Sequence, residues 1–315
     1  MRPHDRRRAQ DLNARLRTFS RTRSLPGLRD RAYRHAFLEQ LVESIRRIEY
    51  ISVIRTRDVS RLRADPSSDL FDPLKAAVLR QRAGQIDEAF WLVFLSVYFG
   101  KSPRTGWRLA RDVYGRLGGT THWDWARISS RPHAFRQWLS LHEATLSGAD
   151  GVARQFGNHR KYESLDASSP RGPAAAFETY VRWVGPPRTH PMLIAKASRQ
   201  AGGDPRKTFA LLYQSMTVAS FGRTAKFDYL TMIGKLGLGP IQPGSTYMQG
   251  ATGPQRGARL LFGGTPSARL SSADLDTWLL DLNARLQLGP HGMQVLEDAL
   301  CNWQKQPRRF VPFRG

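Results

Sequence analysis

The run from Ile86 to Phe99, IDEAFWLVFLSVYF, constrains the fold more than any other stretch because it is apolar on nearly every side of a helix. A helix of this kind has no polar face to present to water, so other elements must cover it all round. It is also shorter than the roughly 20 apolar residues that a membrane-spanning helix needs. The run therefore predicts a buried central helix in a globular core.

The segments around this run repeat their apolar residues with the period of a helix. Between Leu28 and Arg55, for example, Tyr33, Phe37 and Leu41 recur at four-residue steps, and no segment shows the alternation of β-branched residues that marks a strand. We predict an all-α, multi-helical fold of roughly ten to twelve helices. Residues 1–27 are expected to form a basic flexible arm, and residues 28–315 a helical domain whose two lobes meet near 148–156.

The charge balance points to a polyanionic partner. The chain has 49 Lys and Arg against 26 Asp and Glu, a formal net charge of +23. Self-repulsion of this size suits a protein that binds nucleic acid, with an acidic membrane surface as the second choice. The single cysteine, Cys301, excludes an intramolecular disulfide framework. We expect a soluble cytoplasmic protein, and the sequence indicates no metal or organic cofactor.

Two helical patterns joined by a glycine-rich link occupy residues 221–262. The first carries Arg223, Lys226 and Asp228 and ends at glycines, and the second follows the turn GATGP at 250–254. A glycine turn that leads into a helix presents backbone N–H groups and the positive end of the helix dipole, which suits a phosphate. The alternative is a packing corner at which small residues let two helices approach. The residues that would contact DNA here are Gly250, Gly253, Gln255, Arg256, Gly257 and Arg259.

The stretch FGNHRKYESL, residues 156–165, packs polar side chains into consecutive positions. Consecutive polar residues cannot all lie on one solvent face of a helix, so this density is more typical of a loop that lines a site. Solvated surface is the alternative. Nearer the end of the chain, Glu297 and Cys301 share one face of a predicted helix, and Asp298, Asn302 and Lys305 form the adjoining stripe.

Four stretches together resemble a known family. They are FGNHRKYESL, FGRTAKFDYLTMIGKLGL, GATGPQRGARLLF and LEDALCNWQK. They are similar to a bacteriophage family of DNA-base hypermodification enzymes, the α-glutamyl/putrescinyl-thymine pyrophosphorylases, one branch of which is described as amino acid:DNA transferases. The similarity covers about Ala76 to Gly315 and implies the helix-hairpin-helix fold of DNA glycosylases, with the turn at Gly250–Gly257 similar to its hairpin.

The resemblance also implies a reaction. The substrate would be double-stranded DNA that carries 5-(pyrophosphoryloxymethyl)uracil, and an amine would replace pyrophosphate at the exocyclic methylene. The amine would be a free amino acid, with glycine favoured, or a polyamine. The sequence does not indicate the oligomeric state.

Such a reaction assigns roles to residue types. Cations must stabilise the departing pyrophosphate, a carboxylate must take a proton from the attacking amine, and an aromatic ring must stack on the extruded base. Glu297 and Asp298 are the favoured carboxylates, with Asp228 and Glu163 competing. The candidates for substrate and pyrophosphate binding are Asn158, His159, Arg160, Lys161, Tyr162, Arg223 and Lys226; those for stacking are Tyr162, Tyr229 and Trp303.

Two rival functions remain from the sequence. A hydrolytic DNA glycosylase needs an aspartate soon after the hairpin, and Asp274 or Asp276 stands in that position. A non-catalytic DNA-binding protein needs only the hairpin and the arginines.

Overall fold

The computed structural model describes residues 3–157 and 163–312, and within them the chain is all-α, as predicted. Fourteen α-helices are present in these residues, with no strand. The chain divides into two compact units. The first consists of residues 1–52 and 242–314, and the second of residues 53–241. Among the described residues, no helix is both long enough and apolar enough to span a bilayer.

The first unit contains five helices. They are α1 (Pro3–Thr22), α2 (Arg31–Thr56, whose last four residues belong to the second unit), and, later in the chain, α12 (Thr252–Gly263), α13 (Ser272–Leu286) and α14 (Gly292–Trp303). Its core is a continuous cluster of leucines, valines and aromatic rings from all five helices. Trp303 is fully buried in this cluster and packs against the rings of Phe37 and Tyr33.

The second unit is built around the apolar run, which forms helix α4 at Ile86–Phe99 as predicted. Ten of its residues are buried. The ring of Phe94 lies among other aromatic rings, and its centre is 4.0 Å from the centre of the Tyr180 ring. The helices of this unit are α3 (Pro73–Arg82), α4 (Ile86–Phe99), α5 (Arg108–Tyr114), α6 (Trp125–Ser130), α7 (Pro132–Ala144), α8 (Pro173–Val184), α9 (His190–Gln200), α10 (Pro205–Ser215) and α11 (Arg223–Leu236).

Helix starts follow the capping chemistry visible in the sequence. Asp72 precedes Pro73, and its carboxylate accepts hydrogen bonds from the backbone N–H groups of Leu74 and Lys75. Ser271 caps α13 in the same way through the N–H of Asp274. These bonds satisfy N–H groups that have no partner inside the helix.

The N-terminal segment differs from the expected flexible arm. Residues 3–22 form helix α1, which packs against α13. Leu12, Leu16 and Phe19 are all buried, and their four- and three-residue spacing places them on one face. This apolar stripe allows the arginine-rich segment to pack as a helix against α13. The region near 148–156, expected where two lobes meet, lies inside the second unit.

Candidate functional site

In the second unit, α11 carries two of the predicted pyrophosphate-binding cations at its N-terminal end. Arg223 is the first residue of the helix and Lys226 follows three positions later, so both lie towards one side. The guanidinium of Arg223 lies 4.9 Å from the centre of the Phe227 ring, and the ammonium of Lys226 lies 5.6 Å from that of Tyr213. Burial lowers the pKa of Lys226. These are partly desolvated cations on aromatic supports at the positive end of a helix.

Asp228 points to a different side of α11 from Lys226. Successive residues of a helix are turned by about 100°, so a residue two positions from Lys226 points to the opposite side of the helix. Asp228 is also five positions from Arg223. Helix α11 therefore places Arg223 and Lys226 towards one side and Asp228 towards another.

A buried hydrogen-bonded chain in the second unit was not predicted. His190 Nδ1 lies 2.7 Å from Asp87 Oδ1, His190 Nε2 lies 2.8 Å from the Tyr180 hydroxyl, and that hydroxyl lies 2.7 Å from the Tyr229 hydroxyl. His190, Tyr180 and Tyr229 are all at most 1% exposed. The four residues come from α4, α8, α9 and α11.

Which group donates each of these hydrogen bonds follows from the charge on Asp87. Burial raises the pKa of Asp87, but hydrogen bonds from His190 outweigh it, and the net pKa is lowered. An ionised carboxylate only accepts, so His190 donates from Nδ1 and accepts at Nε2. Burial lowers the pKa of His190, which keeps the ring neutral. Tyr180 therefore donates to His190, and Tyr229 donates to Tyr180, which fixes α11 through the residue next to Asp228.

In the first unit, Asp298, Asn302 and Lys305 are linked as the predicted stripe requires, but α14 ends at Trp303 and Lys305 lies in the turn after it. The amide of Asn302 donates to Asp298 Oδ1 at 3.1 Å, and the Lys305 ammonium donates to Asn302 Oδ1 at 3.1 Å. Asp298 also accepts from the Ser44 hydroxyl at 2.5 Å and forms an ion pair with Arg47 on α2. Both oxygens of Asp298 therefore already accept hydrogen bonds: Oδ1 accepts from Asn302 within α14, and Oδ2 accepts from Ser44 and Arg47, which joins α14 to α2.

Glu297 lies one position earlier on α14 and is only 9% exposed. The bonds of Asp298 give that carboxylate a structural role, and Glu297 stays a candidate for chemistry.

The glycines of α12 serve helix packing. A Cβ added at Gly257 would lie 2.3 Å from the carbonyl oxygen of Leu300, and one at Gly253 would lie 2.8 Å from the sulfur of Cys301. Both contacts are with α14, so this surface of α12 is a close packing corner, the alternative reading of the sequence. Gly250 is different: its φ of +74° shapes the turn, and nothing lies within 4 Å of an added Cβ.

The polar residues of α12 divide between structure and solvent. Gln255 donates to the Ser272 hydroxyl at 2.8 Å, and Arg259 donates to the Leu270 carbonyl at 3.4 Å. Arg256 is exposed. Of the residues predicted to bind DNA, Arg256 and Gly250 are thus exposed to solvent and have none of the packing contacts or hydrogen bonds just described.

The helix-hairpin-helix architecture is not confirmed. Helix α11 ends at Leu236 and α12 begins at Thr252, which leaves a link of 15 residues, 237–251. Tight helical hairpins have loops of about 2–5 residues. Helices α11 and α12 also belong to different compact units.

The two aspartates proposed for a glycosylase both have local partners. Asp274 accepts from the Ser271 hydroxyl at 2.6 Å at the start of α13. Asp276 accepts from the hydroxyls of Ser245 and Thr246 at 2.7 and 2.6 Å and from the N–H of Met248 at 3.1 Å. Asp274 therefore bonds to the residue that caps α13, and Asp276 holds the segment before α12.

Two stacking candidates are buried in the cores of their units. Trp303 is 0% exposed and Tyr229 is 1% exposed, so neither ring presents a face to a base. The third candidate, Tyr162, lies outside the described residues, as do Asn158, His159, Arg160 and Lys161. Within residues 3–157 and 163–312, no group of three or more His, Cys, Asp and Glu side chains is arranged to hold a metal ion.

Comparison with known proteins gives one match. The family model described as alpha-glutamyl/putrescinyl thymine pyrophosphorylase clade 3 matches residues 32–315, nearly the whole chain. No curated protein and no solved structure matches the chain.

Proposed function

The chain belongs to the alpha-glutamyl/putrescinyl thymine pyrophosphorylase family, clade 3, and from this premise we propose that it is an amino acid:DNA transferase. The family is one of enzymes that modify thymine in DNA with pyrophosphate involved. The finer proposal is that an amino acid, glycine favoured, or another amine is joined to the 5-methylene of 5-(pyrophosphoryloxymethyl)uracil in DNA.

The reaction is a substitution at one carbon. The amine nitrogen forms a bond to the exocyclic methylene, and the bond from that methylene to the pyrophosphate oxygen breaks with both electrons leaving on pyrophosphate. The attacking nitrogen gives up a proton. The enzyme must therefore stabilise negative charge on the leaving group and accept one proton.

The observation that carries the proposal is the arrangement of Arg223 and Lys226 on α11. Both cations lie on one side of the helix at its positive end, and Lys226 is partly desolvated. Preorganised cations of this kind stabilise a departing polyphosphate most strongly where water is excluded. We assign pyrophosphate binding to these two residues, with His159, Arg160 and Lys161 as further candidates.

For the proton acceptor we propose Glu297. Asp298 accepts hydrogen bonds at both oxygens, which leaves it poorly placed to take a proton. Asp298 is therefore assigned to positioning α14. Gly250, in the turn before α12, and Arg256, in the second turn of that helix, are proposed to contact the DNA backbone because both are exposed.

Pyrophosphate inhibition tests the assignment of the cations. Turnover is measured on DNA that carries 5-(pyrophosphoryloxymethyl)uracil, with added inorganic pyrophosphate as product inhibitor. In Arg223→Ala/Lys226→Ala, we expect turnover to fall at least 100-fold and the pyrophosphate concentration for half-inhibition to rise at least 10-fold. Unchanged inhibition with lost turnover would remove these residues from the leaving-group role.

Glu297→Gln tests the proton acceptor. General-base catalysis contributes typically about 10²–10⁴-fold, so turnover at neutral pH should fall by that range while DNA affinity changes by less than about twofold. Parallel loss of turnover and DNA affinity would instead indicate a binding or folding defect. A wild-type protein that binds DNA tightly but never changes its nucleosides would favour the non-catalytic alternative.

A further inference from the structure

A cleft of about 660 Å³ lies between α8, α9 and α10 in the second unit. Each helix contributes residues spaced three or four positions apart, so whole helix faces are turned towards it. On α8 these are Thr179, Arg182 and Trp183, and on α9 they include Lys196 and Gln200. None of the side chains discussed so far as cation, carboxylate or DNA contact lines this cleft.

The lining carries positive charge without compensation. Arg182 and Lys196 are both exposed, and no Asp or Glu is among the lining residues. Neither cation forms a hydrogen bond or ion pair through its side chain within residues 3–157 and 163–312. The cleft therefore offers two cations whose charges are unmatched in the described part of the chain, and this suits a phosphate.

Trp183 supplies an aromatic surface in the same cleft. Its ring is partly exposed, and its N–H donates to the Ser215 hydroxyl at 3.2 Å, which fixes the plane of the ring. Behind it, the ring packs against Tyr180 and Tyr229 at centroid distances of 5.8 and 6.3 Å. A rigid, half-exposed indole beside cations is the combination on which proteins stack unpaired bases.

We propose that this cleft binds a nucleotide, with Arg182 and Lys196 holding its phosphate and Trp183 stacking on its base. Its volume lies within the roughly 300–1,000 Å³ of small-molecule sites. The occupant is an unpaired nucleotide of the DNA strand, since extrusion of a base for chemistry unstacks its neighbours. Only this choice of DNA rests on the proposed function, because phosphate and base recognition by the cleft does not require turnover.

A charge-matched pair of variants tests the phosphate half of the site. Arg182→Glu/Lys196→Glu changes the two lining cations. Arg199→Glu/Lys207→Glu makes the same net change at exposed cations of α9 and α10 that do not line the cleft. The probe is a fluorescein-labelled single-stranded 12-mer, with binding followed by anisotropy over a range of salt concentrations. Circular dichroism verifies that each variant is folded.

We expect the cleft variant to bind the strand at least 10-fold more weakly and the control variant within about threefold of wild type. Losing two phosphate contacts should also reduce the slope of log affinity against log salt by about 1.4. Equal weakening of both variants would show a general field effect and overturn the site. Trp183→Phe should retain most affinity and Trp183→Leu should lose about fivefold or more, whereas equal affinities would overturn stacking.

A titration with free thymidine monophosphate distinguishes the source of the nucleotide. Displacement of the labelled strand only at high millimolar monophosphate supports a nucleotide within a strand. Displacement at micromolar concentration overturns that choice in favour of a free nucleotide. Because all these measurements use unmodified DNA and no amine, a failure of the transferase proposal leaves their outcome unchanged.

Discussion

Glu88 provides a quantitative test of the second unit, because its carboxyl group is desolvated at the start of the central helix. Glu88 accepts from the backbone N–H of Trp125 at 2.6 Å and from the Tyr114 hydroxyl at 2.7 Å. These bonds favour the ionised form, but burial dominates and raises the pKa of Glu88 from 4.5 to about 7. The folded protein therefore holds a proton that the unfolded chain releases.

The consequence for stability has a definite sign. Below pH 4.5 the carboxyl is protonated in both states, and its favourable contribution is fully present. Between pH 4.5 and 7 only the unfolded chain ionises, so the free energy of unfolding falls by 1.36 kcal/mol per pH unit. Over this window the loss is about 3 kcal/mol. Glu88→Gln cannot ionise and keeps one acceptor and one donor for the same partners, so it escapes this loss.

The assay is urea unfolding between pH 4 and pH 8, followed by tryptophan fluorescence. Six of the eight tryptophans lie in residues 53–241, so the signal reports mainly on the second unit. We expect the stability of Glu88→Gln relative to wild type to rise by about 3 kcal/mol from the acid to the alkaline end. Titration of other groups, including His190, cancels in this difference. A difference that is flat across the range would refute the reasoning.

Glu178 is the matched control, because its contribution to stability is expected to change with pH in the opposite direction to that of Glu88. A hydrogen bond from the Arg136 guanidinium holds the pKa of Glu178 below its usual value. Its contribution to stability is therefore present above the unfolded pKa and is lost as pH falls. Glu178→Gln should be less stable than wild type at neutral pH, with the difference closing towards pH 4.

Three further substitutions test separate contacts. Gly257→Ala places a Cβ 2.3 Å from the Leu300 carbonyl oxygen. The overpacking should lower the free energy of unfolding by about 1–3 kcal/mol in urea titrations. Wild-type stability in this variant would contradict the close approach of α12 and α14. Tyr229→Phe removes the hydroxyl that donates to Tyr180 and should cost about 1 kcal/mol in the same assay; no change would exclude that bond. Asp276→Asn weakens the bonds that hold residues 245–248 and should speed limited proteolysis there; an unchanged cleavage rate would argue against this role.

Much of the fold is readable from the sequence because its determinants are local. The apolar run at Ile86–Phe99 becomes the predicted core helix, and Asp72 and Ser271, residue types that favour helix starts, cap α3 and α13. The predicted bond between Asp298 and Asn302 also forms, because residues four apart on a helix are neighbours whatever surrounds them.

The remainder depends on contacts between distant residues. Asp87 and His190 are 103 positions apart, and nothing in either local pattern indicates that they pair. The one local sign is Asp87 itself, an acid at the edge of the most apolar run. Likewise, whether Gly257 faces a phosphate or a neighbouring helix depends on where Leu300 lies, which periodicity does not determine.

The most direct test of the proposed function uses duplex DNA that carries 5-(pyrophosphoryloxymethyl)uracil. The protein is incubated with this DNA and with glycine, other amino acids and polyamines, and the DNA is digested to nucleosides for mass spectrometry. The proposal predicts a new nucleoside in which the amine replaces pyrophosphate, with pyrophosphate released in equal amount. Unchanged nucleosides in the presence of tightly bound DNA, or abasic sites in place of the adduct, would contradict it.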